Sequence, residues 1–345
     1  MKKLHTSLLA LGLVFLGYLV WRIGAARLLN EFVSLGWGLT LFVGFEFLAE
    51  GLHTKGWSYC LSGPYRRISW FQLFRIRMAG NAINYLTPTA ALGGEVAKAA
   101  LLSSNHKGPE AISGVLIGRL SSGIAHAGFV ACGSIVVLFR ANLPRPVWAA
   151  MFASGGFVMA GILVFFLLQK YGKLGVAVRW LAGRRFAGPL LQKLTRQISQ
   201  VDEALQTFYR EQPGDLPRAV GWQLFGHSTG LLQTWCFLIL LHHPFSADTI
   251  ATIWVLGMWF DLLTFAVPMN MGTLEGSRVV AFKAVGMGAL AGMTYGLVLR
   301  LAQLSVACFG LISYAFFVKS SSMKKARSRP GEKSRVVPAT APGEP

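Results

Sequence analysis

Residues 81–98 read N-A-I-N-Y-L-T-P-T-A-A-L-G-G-E-V-A-K. This stretch sets an Asn, a Pro, two Gly, a Glu and a Lys inside otherwise membrane-grade sequence. Shifted by 180 positions, Asn81 falls on Asp261, Pro88 on Pro268, Glu95 on Glu275 and Lys98 on Arg278. Both copies follow one pattern: Asn or Asp, six residues, Pro, six residues, Glu, two residues, then Lys or Arg. About twenty residues beyond each copy an arginine, Arg119 or Arg300, stands inside an apolar run. An ionisable group at the centre of a bilayer-spanning helix costs roughly 2.5–3.5 kcal/mol on insertion scales. Repeating such groups at one spacing points to use. The competing reading is that Pro and Gly form a loop and the charges sit at the water edge.

Composition fixes the setting. Of 345 residues, 53% are hydrophobic and 14% charged, and the mean hydropathy is +0.50. Several windows of about 20 apolar residues match a hydrocarbon core of about 30 Å. The short alternating strands of a membrane barrel are lacking. The expectation is an all-α polytopic membrane protein. The net charge of +19 lies between and after the apolar runs, as topology requires of cytoplasmic Lys and Arg, and it does not indicate a nucleic-acid partner. Cys60, Cys132, Cys236 and Cys308 stand singly, so the spacing supports neither a zinc site nor a disulfide framework.

The runs then fall into order. Residues 4–20 read as an uncleaved first span starting in the cytoplasm, and 36–61 as a second span carrying Glu46, Glu50 and Lys55. Residues 70–104 are two short helical pieces broken at Pro88, with Gly93 and Gly94 completing the break, and read as a re-entrant hairpin. Non-helical backbone at that depth is tolerated only inside protein or against a water-filled cavity. Residues 111–139 form a span with Gly114, Gly118 and Ser122 at close-packing spacing. Spans at 147–168 and 219–241 bracket a polar insert, 170–218, with nine basic and four acidic residues. Within it Leu190, Leu194, Ile198, Val201, Leu205 and Phe208 mark an amphipathic helix, suited either to the anionic inner leaflet or to the ends of the spans. A second hairpin, 248–287, breaks at Pro268 and Gly272, and a last span covers 291–318.

Six full spans and two oppositely oriented hairpins result. The divisions are a first repeat over 1–140, a second over 141–318, and a disordered basic cytoplasmic tail over 319–345. With both termini cytoplasmic, the halves form an inverted repeat, an architecture that transporters use to build a midplane binding site. The expected location is the bacterial inner membrane.

The chemistry available is polar and ionic. Glu95 and Glu275 follow the breaks, where free N–H groups and the positive helix end favour an anion. Lys98 and Arg278 lie three residues on, on the same helical face. Either each pair is internal and neutralises its hairpin, or it is a gate that yields its basic partner to an anionic headgroup. Arg119 and Arg300 are placed to complete a phosphate clamp. Asn81, Asn84, Asp261, Thr264 and Asn270 are candidates for polar headgroup atoms, or for capping and packing. Gly226-His227-Ser228-Thr229-Gly230 matches a nucleophile-elbow pattern. It lies in a helical run, and no histidine follows Asp248 to complete the Ser–acid–His order. No catalytic residue, metal site or cofactor is expected.

Arg75, Asn81, Pro88, Gly94 and Glu95, with the later Pro268, Gly272 and Glu275, resemble the motifs of a flippase-like membrane family related to the transmembrane flippase domain of lysylphosphatidylglycerol synthases. The resemblance covers about residues 1–320 and includes a hopanoid-associated branch of similar length. It implies movement of an anionic or polyprenyl-linked lipid between leaflets, or an accessory role in a lipid or hopanoid pathway. A membrane enzyme acting on a lipid headgroup is a further alternative without a visible nucleophile. Lys98 in place of Arg, and Met-Gly-Thr-Leu-Glu in place of a Gly-Gly-rich second motif, leave the lipid open. The implied partners are a membrane lipid substrate, anionic inner-leaflet lipids held by 170–218 and the tail, and either a second copy or a lipid-synthesis protein. The related synthases also carry a soluble aminoacyl-transfer domain; with only a short tail after the last span, that synthesis is not expected.

Overall fold

The computed structural model describes Tyr18, Trp21 and residues 24–86, 92–104, 108–140, 145–176, 190–263 and 270–327. The first expected span, both prolines at the hairpin breaks, Thr264 and the tail beyond Arg327 lie outside the described residues.

Among the described residues the chain is all helix, without a strand. The helices are α1 (Ala25–Ser34), α2 (Gly38–Ser58), α3 (Trp70–Leu86), α4 (Leu92–Leu102), α5 (Glu110–Arg140) and α6 (Arg145–Lys170), then α7 (Leu190–Glu211), α8 (Asp215–Leu240), α9 (Ala247–Leu263), α10 (Thr273–Ala284) and α11 (Ala289–Arg327). A 3-10 turn at Gly63–Arg67 joins α2 to α3, with proline in its first turn. Two stretches, Glu110–Leu138 and Ala289–Lys319, are long and apolar enough to cross a membrane, and Gly155–Lys170 is a shorter apolar stretch. Helices α2 and α8 are long as well, but Glu46, Glu50, His53 and Lys55 in the first, and Asp215, Arg218 and His227 in the second, dilute their apolar character. Helix α11 continues through Arg327, beyond the expected end of the last span.

Helix partners fall into matching sets. α2 packs on α8; α3 packs on α11 as α9 packs on α5; α4 packs on α5 as α10 packs on α11. α6 rests on α5 and α1 on α11. Two large hydrophobic cores and two small ones fill the contacts among the described residues. One large core centres on Phe42, Phe237, Phe282 and Tyr295, and the other on Trp57, Leu61, Tyr65 and Phe208.

Lipid tails are as apolar as leucine, so helices in a bilayer associate through close van der Waals packing and polar contacts. The small-residue stripes supply that closeness. A Cβ on Gly114 would meet Leu61, and one on Gly118 would strike the Trp57 ring, so α5 presses on α2. A Cβ on Gly292 would lie 2.7 Å from the Arg278 carbonyl oxygen, and one on Gly296 2.8 Å from the Glu275 Cα, so α11 presses on α10. Gly226 and Gly230, the apparent nucleophile-elbow glycines, are packing positions inside α8 against the His53 and Trp254 rings.

In the polar insert, α7 buries Val201, Leu205 and Phe208 in the Trp57–Tyr65 core, against α5 and α6. Asp202 accepts the backbone N–H groups of Leu174 and Gly175 at 3.2 and 2.9 Å, which ties the helix to the end of α6. Of the two expected settings for this helix, the described part of its apolar face packs on the spans.

Candidate functional site

The first charged cluster grows from α2 and α3. Arg77 and Asn81 are four residues apart on one face of α3. Both donate to the same Glu50 carboxylate oxygen, Arg77 Nε at 2.7 Å and Asn81 Nδ2 at 3.0 Å. The hairpin is closed by Asn84, whose Oδ1 accepts the Gly94 N–H at 2.6 Å. That approach demands glycine, because a Cβ on Gly94 would strike the Gly80 carbonyl oxygen. Glu95 stands in the first turn of α4. Its oxygen accepts from Lys98 Nζ at 3.0 Å, with the side chains 18% and 7% exposed.

The second cluster is wired differently. Gly272, at φ +73°, opens α10, and Asn270 just before it is left-handed at φ +47°. Glu275 in the first turn is fully buried. It is gripped by Arg300 of α11, through Nε and through Nη2 at 2.9 Å. The same guanidinium donates to the Asn270 carbonyl at 2.9 Å and to the Tyr85 hydroxyl at 3.2 Å, linking α11 to α3. Arg278 pairs instead with Asp261 of α9, at 2.8 and 3.5 Å, and its guanidinium lies 5.8 Å from the Trp254 ring centre.

An internal pair therefore exists in the first copy, Glu95 with Lys98. The expected Glu275–Arg278 pair does not form. The α9 and α11 neighbours offer Arg278 and Glu275 partners with two donors on one carboxylate, a stronger arrangement than a single i,i+3 contact. Arg300 is thus committed to protein groups and cannot stand with Arg119 as a free clamp. Arg119 is exposed and makes no ion pair among the described residues.

Three spaces adjoin these groups. A polar pocket of about 80 Å³ is lined by Arg77, Asn81, Asn84, Glu95, Lys98 and Arg119, among others. Arg119 and Ser122 also line a wide cavity of about 520 Å³ between α5, α6 and α9, which reaches His126, Phe165 and Asp261. Ala127, Val158 and Leu262 are shared between that cavity and an apolar one of about 200 Å³ along Gly155, Gly156 and Trp259. The wide cavity has the size of an ordinary small-molecule site. Together the three grade from cationic and polar to apolar, as an amphiphile does.

Of the residues expected from sequence at the site, the structure places Asn81, Asn84, Glu95, Lys98 and Arg119 on one pocket and Asp261 on the cavity beside it. Asn270, Glu275, Arg278 and Arg300 form the second cluster and line none of these three spaces. Sequence reasoning missed Glu50 and Arg77 as site residues, and it missed Gln233, which donates to Glu46 at 3.1 Å. It also missed three histidines, His53, His126 and His227, which meet between the clusters. The signal was present for the carboxylates: Glu46 and Glu50, four residues apart in an apolar run, already marked a polar face of α2.

Comparison with known proteins agrees with this setting. A profile of the family described as lysylphosphatidylglycerol synthase TM region matches residues 7–310. A UPF0104 membrane protein of Methanothermobacter thermautotrophicus is 24% identical over 343 residues, covering 94% of this chain and 98% of that protein. No solved structure matches the chain. With the profile spanning most of its length, and with helices fit to cross a bilayer, the chain is a membrane protein that belongs to the lysylphosphatidylglycerol synthase transmembrane-region family.

Proposed function

We propose that the protein moves an anionic lipid between the leaflets of the membrane without altering it chemically. The observation that carries this reading is Arg119. It is a guanidinium with no carboxylate partner among the described residues, on the shared wall of a polar pocket and a wide cavity that turns apolar farther on. A phosphate headgroup fits such a group through paired N–H donors, and the apolar extension suits the start of an acyl chain. The matching helix contacts support an inverted repeat; six spans, two hairpins, cytoplasmic termini and a bacterial inner membrane complete the same reading. The basic residues of 170–218 and of the tail favour anionic lipids on that side.

The test is leaflet exchange of fluorescent phosphatidylglycerol by purified protein in phosphatidylethanolamine–phosphatidylglycerol vesicles. Losing a charged hydrogen-bonding partner is worth about 1.5–3 kcal/mol, so Arg119→Gln slows exchange by about tenfold or more while unfolding stays as in the wild type. Wild-type exchange in this variant defeats the assignment. Cysteine labelling beside Glu95 and Glu275 in intact cells checks the hairpins. Labelling from opposite sides supports the inverted repeat, and labelling of both from one side rules it out.

A further inference from the structure

Three histidines from three helices meet in the middle of the protein. His53 of α2 and His227 of α8 have ring centres 4.9 Å apart, and His227 and His126 of α5 have ring centres 5.3 Å apart. The Nε2 atoms of His126 and His227 are buried and receive no hydrogen bond from the described protein groups. His53 Nδ1 lies 2.5 Å from Gln223 Oε1, while the Gln223 amide nitrogen donates to the His53 carbonyl at 3.4 Å. That second bond fixes the amide, so His53 carries its hydrogen on Nδ1 and keeps its lone pair on Nε2. Among the described residues no group of three or more His, Cys, Asp or Glu is arranged to hold a metal ion.

The ends of this row are charged. His53 lies one turn from Glu50 on α2, and Glu50 holds Arg77 at 2.7 Å. His126 lines the wide cavity with Asp261 and Arg119. His227, in the middle, lies against the other two imidazoles, and the Arg77 charge acts on it as well. Glu46 lies one turn from Glu50 on α2 and is held by Gln233. Each end of the row therefore has one carboxylate and one guanidinium near it. A cluster of half-buried imidazoles with unused nitrogens between two carboxylates is a chain of proton acceptors.

We propose that His53, His126 and His227 form a proton relay joining the Glu50–Arg77 cluster to the Asp261–Arg278 pair, and that lipid passage through the wide cavity is coupled to proton movement along it. The proposal rests on the lipid-transport reading. In each step one proton adds to the Nε2 lone pair of an imidazole and leaves from that same nitrogen to the next free Nε2, while Nδ1 stays held by Gln223 in His53, by the Met258 backbone in His126 and by the Ser122 backbone in His227; no heavy-atom bond forms or breaks. An anionic headgroup at Arg119 sits in the same cavity as His126 and favours its cationic form. The headgroup in turn is held more tightly when His126 is charged. A lipid carrying one negative charge then moves with one compensating positive charge.

Two measurements test the relay separately from the lipid reading. The first is a pH titration of protein labelled at its histidine rings, in nanodiscs, followed by NMR. The relay predicts that triad resonances titrate within the pH range over which the protein stays folded, and that His126→Gln shifts the midpoints of the two remaining rings. Triad signals that stay unchanged across that range overturn the proposal and make these histidines packing residues. The second is exchange of fluorescent phosphatidylglycerol with and without an imposed gradient of about one pH unit, worth up to about tenfold per coupled proton. Wild-type exchange is expected to be gradient-stimulated, and His227→Gln to lose that stimulation. Gradient-independent exchange in the wild type overturns the coupling while leaving lipid transport standing. A titrating triad in a protein that exchanges no lipid defeats the transport reading and the coupling built on it, leaving only the proton-binding row.

Discussion

Removing Arg300 is the most informative single perturbation of stability. Glu275 is fully buried and Arg300 is 8% exposed, so the pair is shielded from solvent. The carboxylate accepts two N–H groups from one guanidinium, which also holds the Asn270 carbonyl and the Tyr85 hydroxyl. Arg300→Gln leaves Glu275 with only the first-turn N–H groups of α10, whose favourable field is worth about 0.3–1 kcal/mol in ordinary cases and about 2 at most. Breaking a buried pair from one side costs about 3–5 kcal/mol. Set against the residual field, the net loss for Arg300→Gln is about 3 kcal/mol. Glu275→Gln costs a comparable amount, because Arg300 then keeps an uncompensated charge. Neutralising both together recovers most of the loss, since two amides can bond to each other. The assay is reversible unfolding in mixed micelles followed by tryptophan fluorescence, with the four proteins compared as a double-mutant cycle. Single losses below about 1 kcal/mol, the range of solvent-exposed pairs, would refute the reasoning. So would a double variant as unstable as the sum of the singles.

Two other outcomes follow from packing and exposure. Gly94→Ala sets a Cβ against the Gly80 carbonyl oxygen, a backbone atom that cannot step aside, and should destabilise by about 3 kcal/mol or more. Gly128→Ala in α5 meets nothing within 4 Å and should be neutral or gain up to about 1 kcal/mol in the same unfolding assay. Arg66→Gln should change stability by no more than about 1 kcal/mol, because Arg66 is 44% exposed and Asp215 keeps Arg218 at 3.1 Å.

What the sequence disclosed depended on distance along the chain. Glu95 with Lys98, and the first-turn placement of Glu95 and Glu275, follow from helical spacing and were legible. The glycine stripe on α5 was legible for the same reason, as was the placement of Gly226–Gly230 inside a helix. The choice of Arg300 by Glu275 was not, because Arg278 sits equally well by spacing and only the approach of α11 decides. Glu50 with Arg77, Gln233 with Glu46, and the three histidines join residues 27, 187 and up to 174 positions apart. Periodicity within one helix carries no information about such partners. The count of spans is likewise weakly written: α2 and α8 carry enough polar residues to lower their apolar character, and those polar residues build the site.

The common wall at Arg119 and Ser122 has a consequence for size. The pocket beyond it, toward Lys98 and Glu95, measures about 80 Å³, room for a few water molecules, against about 520 Å³ on the near side. Whatever reaches Lys98 from the wide cavity passes one guanidinium and then finds space for only a phosphate-sized fragment. If the protein moves lipid as proposed, Arg119 is a calliper that gauges the compact, charged end of the molecule, while bulk and length are left to the roomier chamber.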